Sequence, residues 1–147
     1  MEVRPSLGAH SAASSIPSRL ILLDASVLAQ RGEFERILIH ELFHFVWVRL
    51  SNQKRKDWEM VLAREARLRI RGELGWSAEW RKAKLQAADV QRRSPAWRKY
   101  ACESFCDTAA WVYSGLRQHD EFTLRATARR LRKTWFIAQI HASPVSL

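Results

Sequence analysis

Cysteine is scarce in this chain. Only Cys102 and Cys106 occur among 147 residues, four apart in one segment. That excludes a disulfide-scaffolded secreted mini-protein and fits a reducing, cytoplasmic setting. Acidic residues are also few, with 15 Asp plus Glu against 25 Lys plus Arg and a formal charge of +10. No run approaches the roughly 18 apolar residues of a membrane-spanning helix. The N-terminal MEVRPSLGAHSAASSIPSRL lacks the apolar core of a secretory signal. Seven Trp and six Phe, in turn, exclude a disordered chain. A chain of this length buries roughly 68–70% of its unfolded surface as one domain, so it needs neither metal nor disulfide merely to fold.

Punctuation along the chain predicts a mainly α protein, α+β with a small N-terminal sheet. Met1 to about Ser18 is rich in Ser, Ala and Pro and reads as a mobile arm, leaving residues 19–147 as a single domain. Arg19 to Asp24 is a short apolar run consistent with a strand. From Gly32 to about Leu50 apolar residues recur on every side, as in a helix buried by its neighbours. A second helix is expected over Lys54 to Arg71, with Trp58, Val61, Leu62 and Leu68 on one side. A third is expected from Ala78 to about Val90 with Ser77 as its cap. Ser94 followed by Pro95 starts a fourth, ending at Tyr113 before Ser114-Gly115. A last helix begins near Thr123.

The chemistry lies in the buried helix. His40-Glu41-Leu42-Phe43-His44 is an HExxH sequence. Residues i and i+4 lie about 40° apart around a helix, so both imidazoles can meet one metal ion. Glu41 sits one step round, poorly placed as a ligand but within reach of a metal-bound water, whose pKa zinc lowers to about 7. With five His and ten Glu in the chain, chance supplies about 0.01 such motifs. The bland alternative, two satisfied histidines beside a paired glutamate, must bury three polar groups side by side, and that is costly without partners.

A catalytic zinc site usually has three protein ligands. Glu103-Ser104-Phe105-Cys106-Asp107 places two carboxylates on one face of the fourth helix. Glu103 can bind metal there while Asp107 hydrogen-bonds a ligand histidine and fixes its ring. Alone the pattern is weak, with about 0.3 expected by chance. Its value comes from the apolar helix that carries it.

These two segments resemble the gluzincin metallopeptidases, in which HExxH on one helix is completed by a Glu on a later one. The resemblance covers His40 to His44 and Glu103 to Asp107. It implies a compact zincin-like domain with the HExxH helix buried against a second ligand-bearing helix. It further implies His40, His44 and Glu103 as zinc ligands, Glu41 as general base, and Asp107 as support of a ligand histidine. Glu103 follows His44 by 59 residues, a longer interval than in thermolysin-like enzymes and similar to the Mlc titration factor and anthrax lethal factor types.

Other residues compete for these roles. Glu65 lies nearer thermolysin-like spacing but sits among Arg64, Arg67 and Arg69, where a solvated salt-bridge partner is the better reading. Glu73 and Glu79 flank the Gly-Trp segment ELGWSAEW and could reach the site from a loop. Cys102 and Cys106 could face a metal together, although small buried hydrophobes are the commoner fate of cysteine. As oxyanion donor, Tyr100 is the first choice, three residues before Glu103, ahead of Tyr113 and His119. A purely structural role is the weightier reading of each. His10 and His141 fall in the tail segments and are expected to be solvent-exposed.

The basic surplus attracts anions, and Ala128-Arg129-Arg130-Leu131-Arg132-Lys133 is its densest patch. A solvated basic face is the simpler account, since no zinc-finger spacing or base-stacking motif accompanies it. Trp76 and Trp80 read as core. The expectation is a zinc metallopeptidase acting on peptide or protein substrates, acidic ones among them, with no membrane partner. The alternatives are a basic nucleic-acid- or protein-binding domain with a structural or degenerate zinc site, and a zinc hydrolase of non-peptide amides. Glu41 argues against a structural site, which would fill the fourth position with another ligand.

Overall fold

The computed structural model describes residues 1–8, 11–30 and 32–141. Three short strands form one sheet: β1 (Glu2–Arg4), β2 (Ala12–Ser15) and β3 (Leu20–Asp24). The order is β1-β3-β2, with β1 parallel and β2 antiparallel to β3. Six helices follow: α1 (Glu33–Arg49), α2 (Asn52–Arg67), α3 (Trp76–Lys82), α4 (Ala87–Arg92), α5 (Pro95–Tyr113) and α6 (Ala126–Phe136). The protein is mainly helical with a small N-terminal sheet, and no described helix is long and apolar enough to cross a membrane.

The segment read as a mobile arm contains strand-forming residues. They supply two of the three strands, in register with β3 from Glu2 opposite Leu22 and from Ala12 opposite Leu23. Neither EVR nor AASS carries a hydrophobic alternation, so their pairing comes from β3 rather than from local preference. Asp24 secures the segment, its carboxylate accepting from Leu7 N at 2.8 Å and Ser26 N at 2.9 Å. His10 lies outside the described residues, and nothing is described of the His141 side chain.

The all-round apolar character of α1 has a direct cause, because both sides of the helix are covered. Leu38, Leu42 and Phe45 meet Ile21 and Leu23 of the sheet. Ile39, Phe43, Val46 and Trp47 meet the helical core. The centre of that core is Phe105 on α5, with Trp47, Trp58 and Phe136 ring centroids at 5.1, 5.9 and 4.9 Å. Trp58 is fully buried, and its indole N–H donates to Ala101 O at 3.0 Å.

The Ser94–Pro95 start and the Tyr113 end of α5 match the sequence expectation. Other elements differ. The helix α2 stops at Arg67, and Leu68 is exposed rather than on its buried side. The expected helix from Ala78 to Val90 is two short helices, broken where Leu85 turns into the core and restarted by Asp89, whose carboxylate accepts from Gln86 N. The last helix begins at Ala126. Trp76 and Trp80 are not core: they are 65% and 44% exposed and stack on each other at 6.1 Å.

The basic run of α6 is not uniformly solvated. Arg132 is fully buried, donating to Glu65 at 2.6 and 2.9 Å and to Glu73 at 2.7 and 3.0 Å. Glu65 is therefore a buried partner, not the solvated one its neighbours suggested. Such a cluster is tolerable only because every charge is matched and hydrogen-bonded.

Candidate metal centre

The helix α1 presents His40 and His44 toward α5, where Glu103 faces them. His40 Nε2 lies 3.2 Å from His44 Nε2 and 3.4 Å from Glu103 Oε2, and His44 Nε2 lies 4.0 Å from the same oxygen. Tetrahedral zinc ligands at about 2.0–2.2 Å stand roughly 3.3–3.6 Å apart. The 3.4 Å separation has that dimension, the 3.2 Å one is slightly shorter and the 4.0 Å one somewhat wider. The donor set of two imidazoles and one carboxylate suits zinc.

The remaining atoms of these residues are anchored. His40 Nδ1–H donates to Asp107 Oδ1 at 2.7 Å, which turns Nε2 toward His44 and Glu103. Asp107 Oδ2 accepts from Ala78 N at 3.0 Å, and Glu103 Oε2 accepts from the Ser77 hydroxyl at 2.6 Å. Arg81 stands 3.3 Å from Glu103 Oε1. The start of α3 thus braces both carboxylates of α5. Gly75 permits the approach, since a Cβ there would meet the Asp107 carboxylate at 2.2–2.5 Å.

These anions favour positive charge at the centre. Burial alone would lower the His40 pKa, but the charge and hydrogen bond of Asp107, with help from Glu103 and Glu41, raise it to about 10. Burial would raise Glu103, yet His40 and Ser77 hydrogen bonds and the nearby imidazoles hold it at about 2. A bound cation would meet the same preference that here retains a proton on His40.

Glu41 is 8% exposed, has no hydrogen-bond or ion-pair partner among the described residues, and lines a cleft of about 210 Å3 with His40, Asp107 and Trp76. Ser11 and Ala12, at the start of edge strand β2, line the same cleft. The cleft reaches His40 but is not lined by His44 or Glu103, so a molecule in it meets the unpaired Glu41 carboxylate beside one imidazole, where that carboxylate can accept a proton.

Tyr100 is not part of this group. It is 2% exposed, and its hydroxyl donates to Glu73 Oε1 at 2.5 Å within the Arg132 cluster. Three residues along a helix are still about 60° around it, and that turn carries Tyr100 away from the cleft. Tyr113 stacks on Phe43 at 5.5 Å. His119 Nε2 lies 3.0 Å from Glu33, beside the Glu33–Arg36–Glu121 cluster at the cleft rim. Glu73 is consumed by Arg132 and Lys82, and Glu79 accepts from Thr123.

The Gly-Trp segment does reach the site, but through Gly75, Ser77 and Ala78 rather than through its glutamates. Neither these three nor Arg81 was assigned to the site from the sequence. The available signal was a glycine two residues before a serine; Ser77, expected only as a helix cap, lies inside α3 and donates to Glu103 instead. No protein-family model matches the chain, and comparisons with curated proteins and with solved structures find no match.

Proposed function

We propose that the protein is a zinc-dependent hydrolase of amide bonds, in the first place a peptidase. The observation that carries this reading is the convergence of His40, His44 and Glu103 beside Glu41, whose carboxylate opens unpaired onto the cleft. His40, His44 and Glu103 would hold the ion, which supplies a Lewis acid able to bring the pKa of water to about 7.

Glu41 is the proton acceptor and later the donor to the leaving amine. Asp107 keeps the His40 ring in one tautomer and orientation, and Ser77 with Arg81 limits the swing of Glu103. An extended peptide suits the cleft, because β2 is an edge strand whose unpaired backbone groups can take up a further chain. The exposed Trp76 offers an apolar wall for a substrate side chain. The unpaired cysteines accord with a cytoplasmic setting.

The similarity to gluzincin-type peptidases rests on the same residues. A structural zinc site in a basic binding domain would have no use for a free carboxylate beside its ligands. The test is elemental analysis of purified protein joined to cleavage of an unbiased peptide library. One zinc per chain with cleavage abolished by a chelator and restored by zinc is the expected result. Zinc without cleavage of any amide would overturn the hydrolase reading, and no zinc at all would overturn the metal centre.

A further inference from the structure

We propose that Cys102 is a positioning residue for the metal centre, its sulfur holding the His44 ring as Asp107 holds that of His40. The proposal rests on the zinc reading given above. Cys102 Sγ lies 3.5 Å from His44 Nδ1, while His44 Nε2 faces His40 Nε2 and Glu103 Oε2. A neutral imidazole that gives one nitrogen to a metal carries its proton on the other. That proton sits on Nδ1, and Cys102 is the one partner of Nδ1 among the described residues. The N–H therefore donates to sulfur.

The geometry gives the two ligand histidines different supports from one helix. Asp107 takes the His40 N–H at 2.7 Å, and Cys102, five residues earlier on α5, takes that of His44 at the longer distance normal for sulfur. Cys106, one turn beyond Cys102 and fully buried, has its sulfur within 4.8 Å of both the Cys102 sulfur and the His44 ring. The helix α5 thus carries one ligand and both ring supports, so a shift of α5 against α1 would disturb all three together. Metal ligands commonly depend on such partners, and their loss costs roughly 10–100-fold in affinity.

A rival role has the same atoms. His44, Cys102 and Cys106 offer three donors within 4.8 Å of one another and could bind a soft metal themselves. That arrangement would occupy Nδ1 with metal instead of a proton, so the two roles exclude one another for a neutral ring.

Cobalt substitution separates them. Wild type is titrated with Co2+, then with zinc against a chelator, beside Cys102→Ala and Cys102→Ser. The expected wild type binds one cobalt with only weak ligand-field bands and no thiolate-to-cobalt charge transfer. Cys102→Ala should bind cobalt and zinc roughly 10–100-fold less tightly with altered ligand-field bands, and Cys102→Ser should fall between, because its hydroxyl accepts but reaches less far. The metal-free variants should melt with wild type. If the alanine variant fails to fold, the near-isosteric serine variant carries the comparison. Thiolate charge transfer in wild type would make Cys102 a ligand and overturn the proposal, as would wild-type affinity in both variants. Wild type that binds no metal would instead overturn the zinc reading itself.

Discussion

Gly75 and Asp107 approach so closely that a methyl group on residue 75 would lie 2.2 Å from the Asp107 carboxyl carbon. Gly75 has φ −175°, extended backbone that any residue adopts, so the requirement is for space alone. Through this contact the start of α3 hydrogen-bonds Asp107, and Asp107 orients His40. Gly75→Ala should cost about 1–3 kcal/mol as the overpacked turn moves away. It should also weaken zinc, because Asp107 loses its brace. Denaturant unfolding and chelator competition on one preparation measure both, and unchanged values would remove Gly75 from the site.

Glu103 and Glu65 should separate metal binding from folding. Glu103→Ala removes a proposed ligand and should abolish stoichiometric zinc while the core stays intact. Glu65→Ala deprives buried Arg132 of a bidentate partner and should cost about 3–5 kcal/mol, yet the folded fraction should retain zinc. Asp107→Asn should weaken zinc roughly 10–100-fold. Equal zinc content in the Glu103 and Glu65 variants would reject the ligand assignment.

Glu41→Gln tests proton transfer. Gln matches Glu in shape and can hydrogen-bond water but cannot take its proton. Zinc content and thermal melting should stay at wild-type values, while hydrolysis falls by about 10²–10⁴-fold. Loss of zinc together with loss of folding would make Glu41 a structural residue.

Arg132→Met should be among the most damaging single changes in the helical core. It leaves Glu65 and Glu73 buried without their shared cation, at about 3–5 kcal/mol. Lys82 and Tyr100 still reach Glu73, so Glu65 is the more exposed to this loss. Urea unfolding measures it, and a variant as stable as wild type would show that the cluster contributes nothing net.

Stability should fall in acid for the same reason. Burial would raise the Glu73 pKa, but Arg132 and Lys82 lower it from the ordinary 4.5 to about 2. Between those values the unfolded chain binds the proton and the folded one does not. The contribution of Glu73 is therefore complete above about 4.5 and disappears as pH falls through 2. Metal-free wild type and Glu73→Gln, unfolded by denaturant across that range, should converge toward the acid end. A constant difference between them would refute the coupling.

The parts legible in the sequence are those governed by neighbours within a turn or two. The i, i+4 spacing places His40 and His44 on one face without help from the fold, and the same rule groups Glu103 with Asp107. Ser94-Pro95 marks the start of α5 because a capping side chain and a preset φ act locally. The all-round apolar pattern of α1 correctly implied covering on both sides, though not that a sheet covers one of them.

What the tertiary structure decided depends on partners far away in the chain. AASS and EVR become strands only because β3 offers them an edge. Tyr100 and Glu103 share a helix, yet a rotation of about 60° sends one hydroxyl to Glu73 and the other side chain to His40. Arg132 lies in the densest basic run and is nonetheless buried, because Glu65 and Glu73 converge on it from other segments. Local spacing can therefore nominate His40, Glu41, His44, Glu103 and Asp107. It cannot say that Gly75, Ser77 and Cys102 hold them in place, because that depends on which helices pack together, and packing is settled by the whole core at once.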